Sequence, residues 1–490
     1  MIILVLDVGT SGMRGLLMTG EGETLSLRRR EYHVHFLDHG LAEQDPSNWE
    51  RAMYEIMGEL SADAAEHGWD IEAVALTSQR SSVIPVDSAI RPIAPAIMWQ
   101  DKRTEPLCAA LAEQNDLIFR LSGARVNSVY AGTKMTWFRE NCPEIYKKTA
   151  KFLLVPDLLL YDLTGELATD HSYGGRTHLM NLRTRQWDDT LLEMFRVERD
   201  KLCALTAPGS TIGYLTPRVA ALTGCPAGIP VISAGGDQQC GAVGQGVVLQ
   251  GVLSITVGTG GFLLAAAEQV PESLRSDVIC TPSAIGGQYV LEYNLLSCCA
   301  AFDWFRAEFY PENPGFEALE AELRRSAPGA GGCICLPYFQ GRATPDFNEN
   351  ARGLFSGMTL GTRRCDLLRA LLEGICYALG NGVDTICSYV PVSELRVNGG
   401  LSRSKVFNEI LAGVCGTPLL RTELSDATAC GALMVAATSL GVYRSVSEAC
   451  DAMNRAEPWR IQPIPDDMPI YAERRGEANR LYALFASANL

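Results

Sequence analysis

The chain opens on a continuous apolar run, Ile2 to Leu6, followed by a glycine-punctuated gap and a second run from Gly15 to Met18. With the Gly20-Glu21-Gly22 turn after it, this pattern predicts a β-hairpin, and Leu25 and Leu27 alternate as a third strand would. Asp45-Pro46 then stands before Trp49, Met53, Ile56, Met57 and Leu60, the spacing of a capped helix with one apolar face. Ile71 to Thr77 returns to the buried-strand pattern. Further helices are predicted over 366–377, where Leu367, Leu368, Leu371, Leu372 and Ile375 share a face, and over 405–414. A strand over 395–397 ends in Asn398-Gly399-Gly400. Strands alternating with helices make an α/β layer fold.

One pattern recurs. "LDVGTSG" at residues 6–12 returns as "ITVGTGG" at 255–261, half the chain away, and both copies follow one apolar strand and precede another. The second copy replaces Asp7 with Thr256. A duplication of this size predicts two related domains facing one cleft. Between the copies, residues 231–261 carry nine glycines, which places the domain junction near 246–252 and gives domains of 1–247 and 248–490. At 490 residues the chain exceeds one ordinary core, so two domains agree with its length.

Composition narrows the partners. With 47% hydrophobic and 20% charged residues the chain is globular, and its net charge of −15, without a basic run beyond Arg28-Arg29-Arg30, argues against nucleic acid and anionic membrane. That triplet reads as a solvated strand face, with a phosphate contact as the alternative. No apolar run reaches the roughly 18 residues of a membrane span, and Asp7 interrupts the N-terminal stretch, so no signal peptide is expected. The 16 cysteines are scattered without a C-x-x-C pair and read as reduced thiols of a cytoplasmic protein. His33, His35 and His39 lie close together, but strand alternation accounts for the first two without a metal.

Glycines at strand ends let backbone amides approach a ligand, and consecutive N–H groups in such turns make anion-binding concavities. The chain has neither a Walker loop nor a dinucleotide-binding glycine pattern. Two Gly-Thr turns meeting across a cleft remain as a way to hold a nucleotide triphosphate, with Asp7 beside them for Mg²⁺. A solvent-facing turn with a capping aspartate is the plain alternative. In "ISAGGDQQCGAVGQG", residues 232–246, a strand runs into Gly235-Gly236 and presents Asp237, Gln238 and Gln239 ahead of a helix. Asp237 suits a general base and Gln238 a substrate hydrogen bond, or Asp237 is a helix N-cap.

From end to end the chain resembles the FGGY carbohydrate kinases of the actin-like ATPase superfamily. "LDVGTSGMRG" is similar to the family's first phosphate loop, "WQDKRT" at 99–104 to its substrate-strand motif, and "GTKMTWFREN" to its first family pattern, beside which Val129 and Ala131 depart from the usual choices. "GLFSGMTLGTRRCDLLRALLE" at 353–373 follows the second pattern except at Leu371, and "VNGGLSRSKVFNEILAGVCGTPL" resembles the adenine-side loop and helix.

The resemblance implies two duplicated actin-like, ribonuclease H-like α/β domains with a nucleotide cleft between them. It implies phosphoryl transfer from ATP to a small sugar, ketose, polyol or sugar acid, with Asp237 as catalytic base and Asp7 and Asp237 on Mg²⁺. Thr10, Ser11 and Arg14 would meet the phosphates from one domain, Thr259 and Gly260 from the other. Gly400, Ser404, Cys299 and Asp303 would lie around the nucleoside. Gln79, Arg80, Trp99, Tyr130, Asp237 and Gln238 would bind the acceptor, although Trp99 and Tyr130 also read as core aromatics and Arg80 as a surface ion pair. Kinases of this kind are often dimers or tetramers, so a homodimer is the expected assembly. A non-catalytic sugar- or ATP-sensing regulator of the same fold would lack the acceptor-site residues, which are present here.

"TSQRSSVIPVD", "AIMWQDKRT" and "GGDQQ" look more like the glycerol kinase branch than the xylulokinase branch, which has a Gln-Met-His-Gly type stretch at Gln79-Arg80-Ser81-Ser82. Glycerol kinases, however, place a glutamate at Ser81 and a tyrosine at Val129. Losing a carboxylate that accepts two hydroxyl hydrogen bonds costs specificity on the order of 10⁴-fold where a site depends on them. The expected acceptor is therefore larger than glycerol, such as a pentulose like xylulose, a related polyol or an aldonate, with glycerol as the alternative.

Overall fold

The computed structural model describes residues 1–421, 426–454 and 459–487. Its N-terminal sheet contains β1 (Ile2–Val8), β2 (Gly12–Thr19), β3 (Thr24–Glu31), β4 (Ile71–Ser78), β5 (Thr211–Tyr214) and β6 (Pro230–Gly236), in the order β5-β6-β4-β1-β2-β3. The first three strands form an antiparallel meander, and β4 and β6 extend it in parallel with β1. β1 is apolar from Ile2 to Leu6, with Asp7 as its one charge, because both of its faces are covered. Leu4, Leu6 and Val8 enter one core with the helix α1 (Ser47–His67), while Ile3 and Val5 enter another.

The second sheet repeats this wiring. It contains β7 (Gly251–Val257), β8 (Gly261–Ala267), β9 (Ile279–Pro282), β10 (Tyr289–Leu295), β11 (Val392–Asn398), β12 (Leu419–Arg421) and β13 (Trp459–Ile461), in the order β9-β10-β8-β7-β11-β12-β13. Here β7, β8 and β10 form the antiparallel meander, β11 and β12 run parallel to β7, and β13 closes the edge antiparallel, as β5 does in the first sheet. Six strands therefore correspond one to one, and β9 is extra. The "VGT" repeat falls at the same place in both copies, in the bends after β1 and β7. This is the duplicated α/β fold expected.

Small differences have local causes. The helix after Asp45 starts at Ser47, with Pro46 at its N-cap and the Asp45 carboxylate accepting from Ser47 N at 3.0 Å. His33 lies outside the strands, and only His35 sits in one, an edge strand over His35–Leu37. In β3, Arg28 and Arg30 pair with Glu55, Glu59 and Asp63 of α1, as a solvated face would.

The two halves share one core. The helix α2 (Asp237–Gly244) follows β6, and α3 (Ala427–Ser439), far along the chain, packs on the N-terminal sheet, where Ala429, Ala432, Leu433 and Val435 meet Ile3, Val5, Ile232 and Ala234. The helices cross through glycines: a Cβ on Gly431 would lie 1.8 Å from the Cys240 carbonyl oxygen, and one on Gly244 2.0 Å from that of Ala427. No side chain fits between these backbones. Among the described residues, no helix is long and apolar enough to cross a membrane.

Candidate active site

The strand ends of both sheets and the start of α2 converge on one cleft. In the antiparallel register of β1 and β2, Asp7 stands directly opposite Arg14, and cross-strand neighbours of opposite charge attract. Arg14 donates to the Asp7 carboxylate and also to that of Asp426, just before α3. One guanidinium thereby ties the first Gly-Thr loop to the distant end of the chain. Asp7 is buried, and this burial raises its pKa against the pull of Arg14, with the negative charge of Asp237 adding to the rise. Asp7, Gly9, Ser11, Gly12, Arg14 and Arg29 line a pocket of about 250 Å³. Arg29 therefore reaches the loop while its neighbours Arg28 and Arg30 turn to α1.

The first loop is braced from below. Tyr32 donates its hydroxyl to Gly9 O at 2.7 Å, Gln79 N donates to Val8 O at 2.7 Å, and the Trp99 indole N–H donates to Thr10 Oγ1 at 3.0 Å. Gln79 itself is buried and shares its amide between Gly9 O and the Ser82 hydroxyl. In "WQDKRT" only Trp99 reaches the loop. Asp101 and Arg103 instead pair with each other at 2.8 Å, and Arg103 reaches Glu43 at 2.7 Å.

Asp237 owes its position to a buried polar network. The Asp170 carboxylate accepts from the Ser172 hydroxyl at 2.5 Å and from Ser233, and Ser172 Oγ accepts from Gly236 N at 2.8 Å. The hydroxyls of Thr77 and Tyr173 both donate to Gly235 O, and Gly235 has φ of 117°, a backbone shape that favours glycine. Gly236 is the N-cap, so Asp237 occupies the first helical position and is not itself the cap. Its Oδ1 accepts from Gln238 N at 2.7 Å and lies 3.3 Å from Arg80 Nε. The Asp237 side chain keeps 33% of its surface open at the bottom of the cleft. Surrounding protein still desolvates it and raises its pKa, with Arg80 opposing. Asp237, Gln238, Gln245, Thr256, Phe262 and Thr428 line a pocket of about 190 Å³. Thr256, the counterpart of Asp7, thus faces Asp237 from the other sheet.

The Arg80 side chain keeps only 8% of its surface open and is not a surface group. It donates to Gln238 and, at 3.1 Å, to Gln239, and lies 3.7 Å from Glu292, a buried carboxylate on β10. Arg176 lies 3.9 Å from the other oxygen of Glu292 and donates to the Tyr130 hydroxyl at 2.9 Å. Tyr130 stacks on His178 with 3.7 Å between ring centroids. It stands two arginines away from Asp237, in a packed position.

The second loop is more compact. Gly258 N donates to Gly260 O at 2.9 Å, and Cys298 N and Cys299 N return to Thr259 O and Gly258 O. Cys299 Sγ donates to Val257 O at 3.2 Å, and a Cβ on Gly400 would meet that sulfur at 3.1 Å, so Thr259, Gly260, Cys299 and Gly400 form one cluster. The other two nucleoside-side candidates stand differently. Ser404 is buried, caps the helix over Lys405–Cys415 and donates to Glu320, and Asp303 is exposed beside Arg306.

The family models of the FGGY family of carbohydrate kinases match this chain twice, the N-terminal domain over residues 2–244 and the C-terminal domain over residues 253–440. The chain belongs to the FGGY family of carbohydrate kinases. It is an ATP-dependent phosphotransferase with an alcohol group as acceptor, which sets aside the non-catalytic regulator. This FGGY kinase is 30% identical to a glycerol kinase of Polaromonas naphthalenivorans over 91% of its own length and 92% of the relative's. It is 27% identical to a xylulose kinase of Bacillus subtilis over 92% and 91%. A gluconate kinase structure from Lactobacillus acidophilus superposes with a TM-score of 0.93, at 21% identity, over 100% of this chain and 99% of that one, a likeness of fold.

Several residues of the site escaped sequence reasoning. Glu292 is the one charge in the apolar run "YVLEYNLL", a signal that was available. Phe262 follows the second loop directly. Arg176 and Asp426 lie in no local pattern that marks them.

Proposed function

We propose that this kinase phosphorylates a hydroxyl of an acceptor larger than glycerol, with Asp237 as general base. The observation that carries this reading is the setting of Asp237: a desolvated carboxylate at the floor of a cleft pocket that it shares with Gln238 and Phe262, held 3.3 Å from Arg80. In the reaction the acceptor oxygen bonds to the terminal phosphorus of ATP as the bond to the ADP oxygen breaks, and the hydroxyl proton passes to Asp237. Thr10, Ser11 and Thr259 supply hydroxyl and backbone donors to phosphate oxygens from the two sides, and Arg14 adds charge. Asp7 and Asp237 would hold Mg²⁺. They fit a hard cation: burial raises the proton affinity of both carboxylates with only partial relief from Arg14 and Arg80, the charge of Asp237 adds to the rise at Asp7, and a bound Mg²⁺ would offset phosphate charge.

Acceptor size follows from Ser81 and Val129. Ser81 is buried and donates to the Arg176 carbonyl at 3.3 Å, so no carboxylate stands there to grip two hydroxyls of a three-carbon substrate. Val129 lines a cavity of about 370 Å³. Glycerol as acceptor is the second reading, favoured by the glycerol kinase relatives and by "GGDQQ". Coupled ADP release over glycerol, erythritol, pentuloses, hexuloses and aldonates decides: kcat/KM is expected to peak at four to six carbons. A clear preference for glycerol would overturn the size assignment.

A further inference from the structure

The cavity at Val129 has a chemistry of its own. It opens between residues 115–130 of the N-terminal half and residues 279–296 and 340–349 of the C-terminal half, and Arg176 forms part of its wall. Three arginines line it, Arg125, Arg176 and Arg342, against one carboxylate, Glu349. Arg125 has no carboxylate partner among the described residues. Its contact is the Phe347 ring, 5.4 Å away. Arg342 rests on the Tyr482 ring at 4.0 Å with Asp346 on one nitrogen.

Residues of the lining also carry unmet hydrogen bonds, on atoms set just behind its surface. Arg176 Nε and Arg342 Nε are buried donors without an acceptor, and Asn294 Oδ1 is a buried acceptor without a donor. Buried polar groups are nearly always satisfied, because each one left alone forfeits its hydration. Three such atoms belong to residues around a single cavity. Guanidinium groups match carboxylate and phosphate oxygens in a planar fork, and an amide oxygen accepts from a hydroxyl.

We propose that this cavity binds a small hydroxylated organic anion, a carboxylate or a phosphate ester, with the three arginines on the charged group and Asn294 on a hydroxyl. Arg125 and Arg176 come from one half and Asn294 and Arg342 from the other, so the bound anion holds the halves together. It also reaches the reaction centre. Arg176 shares Glu292 with Arg80, which lies against Asp237, and an anion that draws on Arg176 changes what Glu292 offers Arg80. Two sources share this chemistry: the charged end of the acceptor itself, or a separate metabolite that never receives the phosphoryl group.

Titration calorimetry of the full chain with gluconate, with its phosphate ester, and with sorbitol as the uncharged counterpart tests the site. At least one anion is expected to bind, with sorbitol weaker by tenfold or more. Arg125→Gln and Arg342→Gln are each expected to weaken the anion by about tenfold, while Asp237→Asn retains it, which separates this site from the reaction centre. Arg125 makes few contacts, so its variant stays informative if the Arg342 variant fails to fold. Turnover of gluconate whose KM rises in Arg125→Gln at unchanged kcat identifies the acceptor as the source. Binding without turnover that shifts the KM of another acceptor identifies the separate metabolite. Failure of both anions to bind at millimolar concentration, equal binding of sorbitol, undiminished binding in both arginine variants, or loss in Asp237→Asn overturns the site.

Discussion

Arg80 Nε lies 3.3 Å from the Asp237 carboxylate, and both residues stand at ends of the N-terminal sheet, Arg80 just past β4 and Asp237 just past β6. The pairing opposes the desolvation that raises the Asp237 pKa, which would keep the proposed base ready to take a proton.

Asp237→Asn is expected to lower kcat by ~10²–10⁴-fold while ATP still binds. Arg80→Met removes the positive charge that holds the Asp237 pKa down, so the pKa rises further. A base works deprotonated, and the acid limb of the kcat/KM profile is therefore expected to move to higher pH. A limb that stays in place or moves down would argue against Asp237 as the base.

Asp7→Asn keeps the shape of the β1–β2 register but removes one partner of Arg14 and one proposed oxygen ligand. The KM for ATP, measured at saturating acceptor, is expected to rise about tenfold or more, with the acceptor KM little changed.

Gly431→Ala forces a methyl group to within 1.8 Å of the Cys240 carbonyl oxygen unless α2 and α3 separate. Overpacking of this kind costs about 1–3 kcal/mol, and a lower urea midpoint is expected. Gly315→Ala is the control, since a Cβ there meets nothing within 4 Å.

Lys134 is buried and donates to the carbonyls of Ser128, Val129 and Tyr130 at 2.6, 2.9 and 3.4 Å, and burial pushes its ammonium down to about 7 from 10.5. Lys134→Met takes this donor from the Ser128 and Val129 carbonyls, while Tyr130 O keeps the Thr133 hydroxyl, and is expected to destabilise the chain by about 1–3 kcal/mol. Between pH 7 and 10.5 the unfolded lysine binds a proton that the folded one does not, so wild-type stability relative to the variant rises with pH across that window. Parallel urea unfolding at pH 7 and pH 9 checks the sign.

Much of this kinase was legible in its sequence. Local rules decided β1, β2 and the helix of Trp49, because apolar periodicity and glycine punctuation act over neighbours. The repeated Val-Gly-Thr bends announced the duplication, since both copies sit between apolar strands. Asp237 stood out at a strand-to-helix turn behind paired glycines.

What the chain's order could not convey is which distant segments meet. Arg14 finds Asp426, Arg80 and Arg176 find Glu292, and α3 leaves the half it follows in sequence to pack on the sheet of the other. Periodicity reports which face of an element is buried, and it is blind to what buries it. That choice falls to the whole packed core, where the backbone-to-backbone crossing at Gly431 and the need to pair buried charges select one arrangement of the two halves.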